Sequence, residues 1–211
     1  MKKKLLFWGG LFFAFVIMML VPTWRNLFLG FSNSHVFLGA FIKFFILASA
    51  GEIVALKLSN KQWLVPKGMP FKACIWGFMG MMIVIFFSIF GTGVESLLEK
   101  GYLPGNNLFL KAFYISFLMN ASFGVAMMAF HRITDTWIEN RMNNNKLSVV
   151  GCIEKIEWSK FFNFVVLKTL PLFWIPMHTI TFLLPSTYRV LMAASLSFAL
   201  GILLAIAKGK R

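Results

Sequence analysis

Acidic residues are scarce in this sequence, 7 against 21 basic ones, and both signs together supply only 13% of the 211 positions. That shortage excludes a water-surrounded globule. Hydrophobic residues reach 59%, with 26 Phe, 13 Met and 7 Trp among them, more than one soluble core of this size hides behind so little polar surface. Cysteine is nearly absent too. Cys74 and Cys152 lie far apart with no CxxC or ligand-like spacing, which argues against a disulfide framework and leaves two free thiols. Catalytic signatures are also missing. His35, His131 and His178 share no metal-ligand spacing, and there is no HExxH, no Gly-rich phosphate loop and no framed nucleophile. The chain therefore reads as non-enzymatic, with no catalytic residue, metal or cofactor expected. A net charge of +14 raises nucleic acid as a partner. No base-reading motif accompanies it, however, and the charges sit between apolar runs, which points instead to membrane orientation and to anionic lipid headgroups.

What is present is a series of long apolar runs. A helix needs about 20 apolar residues to cross about 30 Å of hydrocarbon. Charge-free windows run from Leu5 to Trp24, Ala73 to Val94, Ala112 to His131, Thr169 to Tyr188 and Val190 to Ala207. A sixth segment, Val36 to Leu56, is as long but carries Lys43 and Glu52. The expectation is an all-α polytopic membrane bundle of about six segments, a single domain over 1–211. Orientation follows from the basic residues, which favour short cytoplasmic loops. With the amino terminus inside, 15 of the 21 basic residues fall on the inner side, including Lys57, Lys61, Lys67, Lys72, Arg132, Lys155, Lys160 and the tail Lys208, Lys210 and Arg211. Arg25, Lys100, Lys111 and Arg189 fall outside, which predicts six crossings with both termini cytoplasmic.

Two segments need separate comment. Met1-Lys-Lys-Lys followed by an apolar run also describes a secretory signal, but the run is longer than a typical h-region and ends in Val21-Pro-Thr-Trp-Arg25 without an Ala-x-Ala-like site. An uncleaved first helix is expected. The fifth segment contains Pro171 and Pro176, each of which removes a backbone donor. A short, Pro-kinked crossing from Leu170 to Pro185 is therefore expected, preceded by an amphipathic helix over Cys152 to Thr169 near the inner interface with Trp158 at headgroup depth.

Small residues at four-residue spacing mark faces where membrane helices approach closely. Ala193, Ser197, Gly201 and Ala205 form one stripe, and Gly77, Gly80, Val84, Ser88 and Gly91 form a looser one. Helix packing explains both. Ser116, Asn120 and Gly124 repeat the spacing, and their side is a candidate wall for a polar path. Ionisable groups inside a membrane are costly and tend to face partners or water. Lys43 and Glu52 stand nine residues apart, on opposite sides of one helix, so they do not pair with each other. Glu52 has inner-side lysines, His178 or Lys168 as candidate partners, and Lys43 is a candidate for a polar cavity.

In the C-terminal third, Trp174, Thr181-Phe182 and Pro185-Ser-Thr-Tyr188-Arg189 resemble the signature of the Mpv/PMP family of peroxisomal and mitochondrial inner-membrane proteins. Gly51-Glu52 resembles the Gly-Asp that ends that family's first helix. The Pro after Trp is displaced to Pro176, Thr181 stands where the family has Asn, and Leu200 occupies the position of a late Trp. The resemblance covers residues 36–210 and leaves 1–30 as an added helix. It implies a compact helical bundle, pore-like or metabolite-handling, without a cofactor. Glu52 takes the place of the family's acidic residue, Arg189 that of the Arg in its turn, and Trp174, Phe182 and Pro185 form the frame around it. The bacterial style of the amino terminus suggests a prokaryotic relative in the cytoplasmic membrane. Arg189 opens the last helix at the outer interface, where headgroup phosphates or Glu95 or Glu99 could pair with it.

Two functions are consistent with these readings. One is a pore- or transporter-like protein that passes small solutes along Lys43, Glu52, Asn120 and His178. The other is a structural or assembly factor that packs against lipid or other membrane proteins and moves nothing. Convergence of the polar residues on one cavity, or their dispersal into separate pairs, distinguishes the two. Substrate, direction, gating and oligomeric state are not encoded in any recognisable motif.

Overall fold

The computed structural model describes residues 2–105 and 107–209, with side chains described as far as Leu203. Ala205 of the last small-residue stripe and the basic tail Lys208, Lys210 and Arg211 lie outside the described side chains. Among the described residues every regular element is helical. In order these are α1 Lys2–Leu20, α2 Pro22–Ser34, α3 Val36–Asn60, α4 Met69–Glu99, α5 Leu108–Met119, a π-helical segment Asn120–Gly124 and α6 Val125–Met142. They continue with α7 Val149–Lys155, the single turn α8 Trp158–Lys160, a second π segment Phe161–Trp174, α9 Ile175–Leu183 and α10 Ser186–Gly209.

Six runs are long and apolar enough to cross a membrane: Lys2–Leu20, Val36–Asn60, Met69–Glu99, Leu108–Met142, Trp158–Leu183 and Ser186–Leu203. Only helices and closed barrels satisfy every backbone N–H and C=O in hydrocarbon, so apolar runs of this length fold as helices. Large apolar side chains on their outer faces, such as Leu6 and Leu172, are exposed to the surroundings, as lipid-facing residues are. The chain is an all-α integral membrane protein.

The fifth run differs from expectation. It is not a short crossing beginning at Leu170 but 26 continuous helical residues, and the amphipathic helix expected over Cys152 to Thr169 is divided, α7 ending at Lys155. Pro171 lies within the π-helical stretch Phe161–Trp174 of this run. Proline lacks an N–H and its ring collides with the carbonyl four residues back. In the wider π turn the backbone N–H reaches five residues back, as Ile175 N–H does to the Leu170 carbonyl, and Thr169 Oγ1 donates to the Phe164 carbonyl at 3.0 Å, also five residues back.

The chain divides into two compact units, Met1–Met81 with Val190–Arg211, and Met82–Arg189. In the first, Pro22 starts α2 directly after α1, because a proline at the first helical position loses only a donor that had no partner. The added amino-terminal helix is an integral part of this unit. Trp8 is buried with Ile53, Met69 and Ala73, Phe12 stacks on Phe198 at 5.4 Å, and Phe15 meets Phe28 edge-on at 5.6 Å. Close backbone approach joins α3 to α10. A Cβ on Gly51 would lie 2.7 Å from Phe198 Cα, and one on Gly201 3.0 Å from the Gly51 carbonyl oxygen. Ser197 belongs to the same crossing, its carbonyl oxygen 3.3 Å from that Gly51 position. Gly77 and Gly80 bring α4 equally close to Phe41, Phe44 and Ala40 of α3.

In the second unit α5 lies along α9, and Phe86 stacks on Phe123 with 3.6 Å between ring centroids. The α4–α5 turn is tightly held. Gly101 takes φ +71, which lets Tyr102 N–H reach the Leu97 carbonyl at 2.9 Å, and Asn107 caps α5 by accepting from Leu110 N–H at 2.9 Å. Tyr114 Oη adds a bond to the Pro104 carbonyl at 2.8 Å.

Gly201→Leu is expected to lower the thermal midpoint in detergent, corresponding to about 1–3 kcal/mol of overpacking. Gly91→Ala, where a Cβ meets nothing within 4 Å, should leave the midpoint in place. An unchanged midpoint for Gly201→Leu would remove the α3–α10 crossing from the packing.

Candidate functional site

Buried polar groups in hydrocarbon need partners, and in the first unit Lys43 and Glu52 find them locally, whereas the buried Ser49 Oγ has none among the described residues. Lys43 is 4% exposed and donates to Ser32 Oγ on α2, with its ammonium 5.5 Å from the centre of the Phe28 ring. Ser32 is reached because Gly39 on α3 leaves room for it. Glu52, just after Gly51 at the α10 crossing, pairs with Lys72 at 2.9 Å, the lysine being 4% and the carboxylate 22% exposed. Lys43 and Glu52 thus belong to separate polar sets on one helix.

In the second unit Asn120 and His178 come together. Asn120 sits where α5 passes into the first π segment, His178 in the middle of α9, and both are buried. Asn120 Nδ2 donates to the Ser116 carbonyl at 2.8 Å and lies 3.1 Å from His178 Nδ1. An amide N–H donates, so this contact places the proton of the neutral ring on Nε2; the longer 3.3 Å approach of Asn120 Oδ1 would need the other tautomer. Ser116 Oγ donates to the Ile175 carbonyl at 2.7 Å, and Thr179 Oγ1 donates to the same carbonyl at 2.8 Å. Trp174 stacks on His178 at 5.2 Å, and its buried indole N–H has no acceptor among the described residues. Gly124 keeps the cluster compact, since a Cβ there would stand 3.3 Å from Asn120 Oδ1 and 3.4 Å from Leu170 Cδ2.

A cavity of about 290 Å³ lies at the end of this unit where α4 meets α5 and α9 meets α10. Its charged lining is Glu95, Lys111 and Arg189, and its apolar wall includes Phe87, Ile115 and Phe182. Lys111 pairs with Glu95. Arg189 Nε donates to the Leu184 carbonyl at 2.9 Å, closing the end of α9, and its guanidinium lies 5.8 Å from the Phe182 ring centre. Among the described residues Arg189 makes no ion pair with a carboxylate, Glu95 being paired with Lys111. The cavity therefore carries one positive charge beyond its internal pair. Phe87 connects the two features, because it lines the cavity and also meets His178 edge-on at 5.9 Å and Phe182 at 4.7 Å.

Compared with protein-family models, with curated proteins and with solved structures, the chain matches none. What the site does must be read from its chemistry.

Of the residues singled out from the sequence, Asn120 and His178 are bonded to each other, Trp174 stacks on that pair, and Phe182 and Arg189 border the cavity. Pro185 fixes the turn that presents Arg189, with Tyr188 N–H donating to its carbonyl at 3.0 Å. Gly77, Gly80, Ser197 and Gly201 stand at helix crossings of the first unit. Sequence reasoning missed Phe87 as the link and counted Lys111 only as a loop charge. A usable signal existed for the latter: Glu95 and Lys111 flank one short connection between consecutive helices, where opposite charges readily meet.

In a double-mutant cycle, Asn120→Ala and His178→Ala should couple by about 0.5–1.7 kcal/mol of unfolding free energy, the range of interhelical hydrogen bonds in membranes. Detergent unfolding checks this. Losses additive within about 0.3 kcal/mol would dissolve the cluster into independent residues.

Proposed function

We propose that this integral membrane protein is pore- or transporter-like and handles small solutes in its second unit, with the Arg189 cavity as vestibule and the Asn120–His178 cluster behind it. The observation that carries this reading is Phe87, one aromatic side chain bordering both the charged cavity and the buried polar cluster. Phe87 and Phe182 stand between the 290 Å³ cavity and polar groups that hydrocarbon alone would not favour. The unspent Trp174 N–H supplies a donor that a passing solute can use. The positive charge left on Arg189 favours anions at the entrance.

The bias of lysine and arginine supports cytoplasmic termini, with the cavity on the outer side, and the membrane is proposed to be a bacterial cytoplasmic one. The Mpv/PMP resemblance, carried by Trp174, Phe182, Pro185 and Arg189, supports the same class of function. Compared with the expectation from sequence, the path is narrower. Lys43 and Glu52 are left out of it because Ser32 and Lys72 already engage them. Those same pairs favour the second reading, a structural or assembly role, in which every intramembrane polar group serves packing.

Efflux of graded ions and small metabolites from proteoliposomes tests the proposal, with empty liposomes as control. Selective efflux is expected, lowered about tenfold or more by His178→Leu, the equivalent of one lost polar interaction, and left unchanged per folded protein by Glu52→Gln. Absence of efflux for every solute, from demonstrably folded protein, would assign the structural role instead.

A further inference from the structure

At the opposite end of the second unit lies a larger cavity, about 580 Å³, between Arg132 near the middle of α6 and the start of the second π segment. Three cationic side chains border it, Arg132, Lys160 and Lys168, against one carboxylate, Glu157. Glu157 is already taken by Lys160 at 2.6 Å on the same turn. Among the described residues neither Arg132 nor Lys168 makes an ion pair with a carboxylate, so two positive charges face one space without a counter-charge in it. Ser159 and Asn163 add neutral hydrogen-bonding groups to the lining. The remaining wall is apolar, from Phe161, Phe164 and Val165, and the neighbouring Phe162 and Leu167 are 50% and 65% exposed on the surface of the same span.

We propose that this cavity is a binding site for an anionic phospholipid, its phosphate held between Arg132 and Lys168 and an acyl chain laid along the Phe161–Phe164 side. A headgroup phosphate offers the acceptors that a guanidinium and an ammonium want, and Arg in particular takes two phosphate oxygens in its fork. The apolar wall distinguishes a lipid from a free phosphate, because an inorganic ion leaves the phenyl rings uncovered. Basic pockets between membrane helices near the headgroup level are recurrent seats for such lipids. Trp158, whose indole Nε1 donates to the Ile153 carbonyl at 2.9 Å, ties α7 to the start of the span and holds the rim in place. This site is independent of the solute path and stands whether or not the protein transports.

Native mass spectrometry of the whole protein, released from mixed micelles with equimolar phosphatidylglycerol and phosphatidylcholine, reads the selectivity directly. Wild-type protein is expected to retain phosphatidylglycerol in preference. The double substitution R132Q with K168Q should weaken that retention about thirtyfold, as expected for two charges near a membrane surface. Substituting two exposed lysines of the other unit, K61Q with K67Q, should leave it nearly unchanged. Equal losses in both variants would reduce the effect to general charge attraction and overturn the site. Inorganic phosphate competing as well as the lipid would also overturn it, showing that the cavity takes a free anion. A photoactivatable phosphatidylglycerol on wild-type protein keeps the test independent of variant folding. Cross-links within residues 157–168 or beside Arg132 support the site, and cross-links confined elsewhere refute it.

Discussion

Water is absent from the hydrocarbon core of a bilayer, so each polar group carried there must find its partner within the protein. That constraint organises the whole molecule. The backbone meets it because every regular element among the described residues is helical, and several side chains meet it in small closed sets. Lys43 reaches across to Ser32, Glu52 takes Lys72, and Asn120 bridges Ser116 and His178. Some hydroxyls turn back on their own helix, as Thr181 Oγ1 does toward the Met177 carbonyl at 2.9 Å and Ser195 Oγ toward the Leu191 carbonyl at 2.9 Å. One set does not close completely, the Trp174 indole N–H being left without an acceptor among the described residues.

Partners can be reached only if helices come close, and small residues and altered turns provide that closeness. Gly51 and Gly201 let the backbones of α3 and α10 touch, which sets the position from which Glu52 meets Lys72. Gly39 makes room for Ser32 beside Lys43. In the second unit the two π segments take over this task. The first shifts the register of the chain just where Asn120 must face His178, and the second absorbs Pro171 without ending the helix. Widened turns of this kind recur at functional positions because they redirect side chains that a regular helix would leave facing elsewhere.

Charge spacing made the six spans legible in the sequence, since lysines and arginines punctuate apolar runs of membrane length. Gly77, Gly80 and Gly201 were legible for the same elementary reason, a missing Cβ at repeated helical spacing, whereas Gly39 and Gly51 stood outside the stripes and a Cβ on Gly91, inside one, meets nothing within 4 Å. The fifth span was not, because a pair of prolines reads as an interruption when only α-helical and broken states are considered. The helix α2 was hidden as well: Pro22–Ser34 is polar enough to pass for a loop, and only its contact with α3 reveals what Lys43 bonds to. Asn120 and His178 could each be picked out as polar residues in apolar surroundings, yet their pairing across 58 positions depends on how α5 lies along α9, a tertiary fact that spacing does not encode. Phe87 was invisible for the opposite reason. It is one Phe among 26, and its position between a cavity and a histidine is what sets it apart.

Solute handling in the second unit requires that the Arg189 cavity be open to water on one side of the membrane and that its inner wall be reachable from there. Thiol labelling tests this most directly. With Cys74 and Cys152 replaced by Ala, a cysteine placed at Ile115, on the wall of the cavity, can be challenged in intact cells with a membrane-impermeant thiol reagent. A water-filled vestibule on the outer side predicts rapid labelling at Ile115 and none at Ala73, which is fully buried in the other unit. Protection of Ile115 in intact cells and in opened membranes alike would contradict it, leaving a dry packing gap where the entrance to the path is placed.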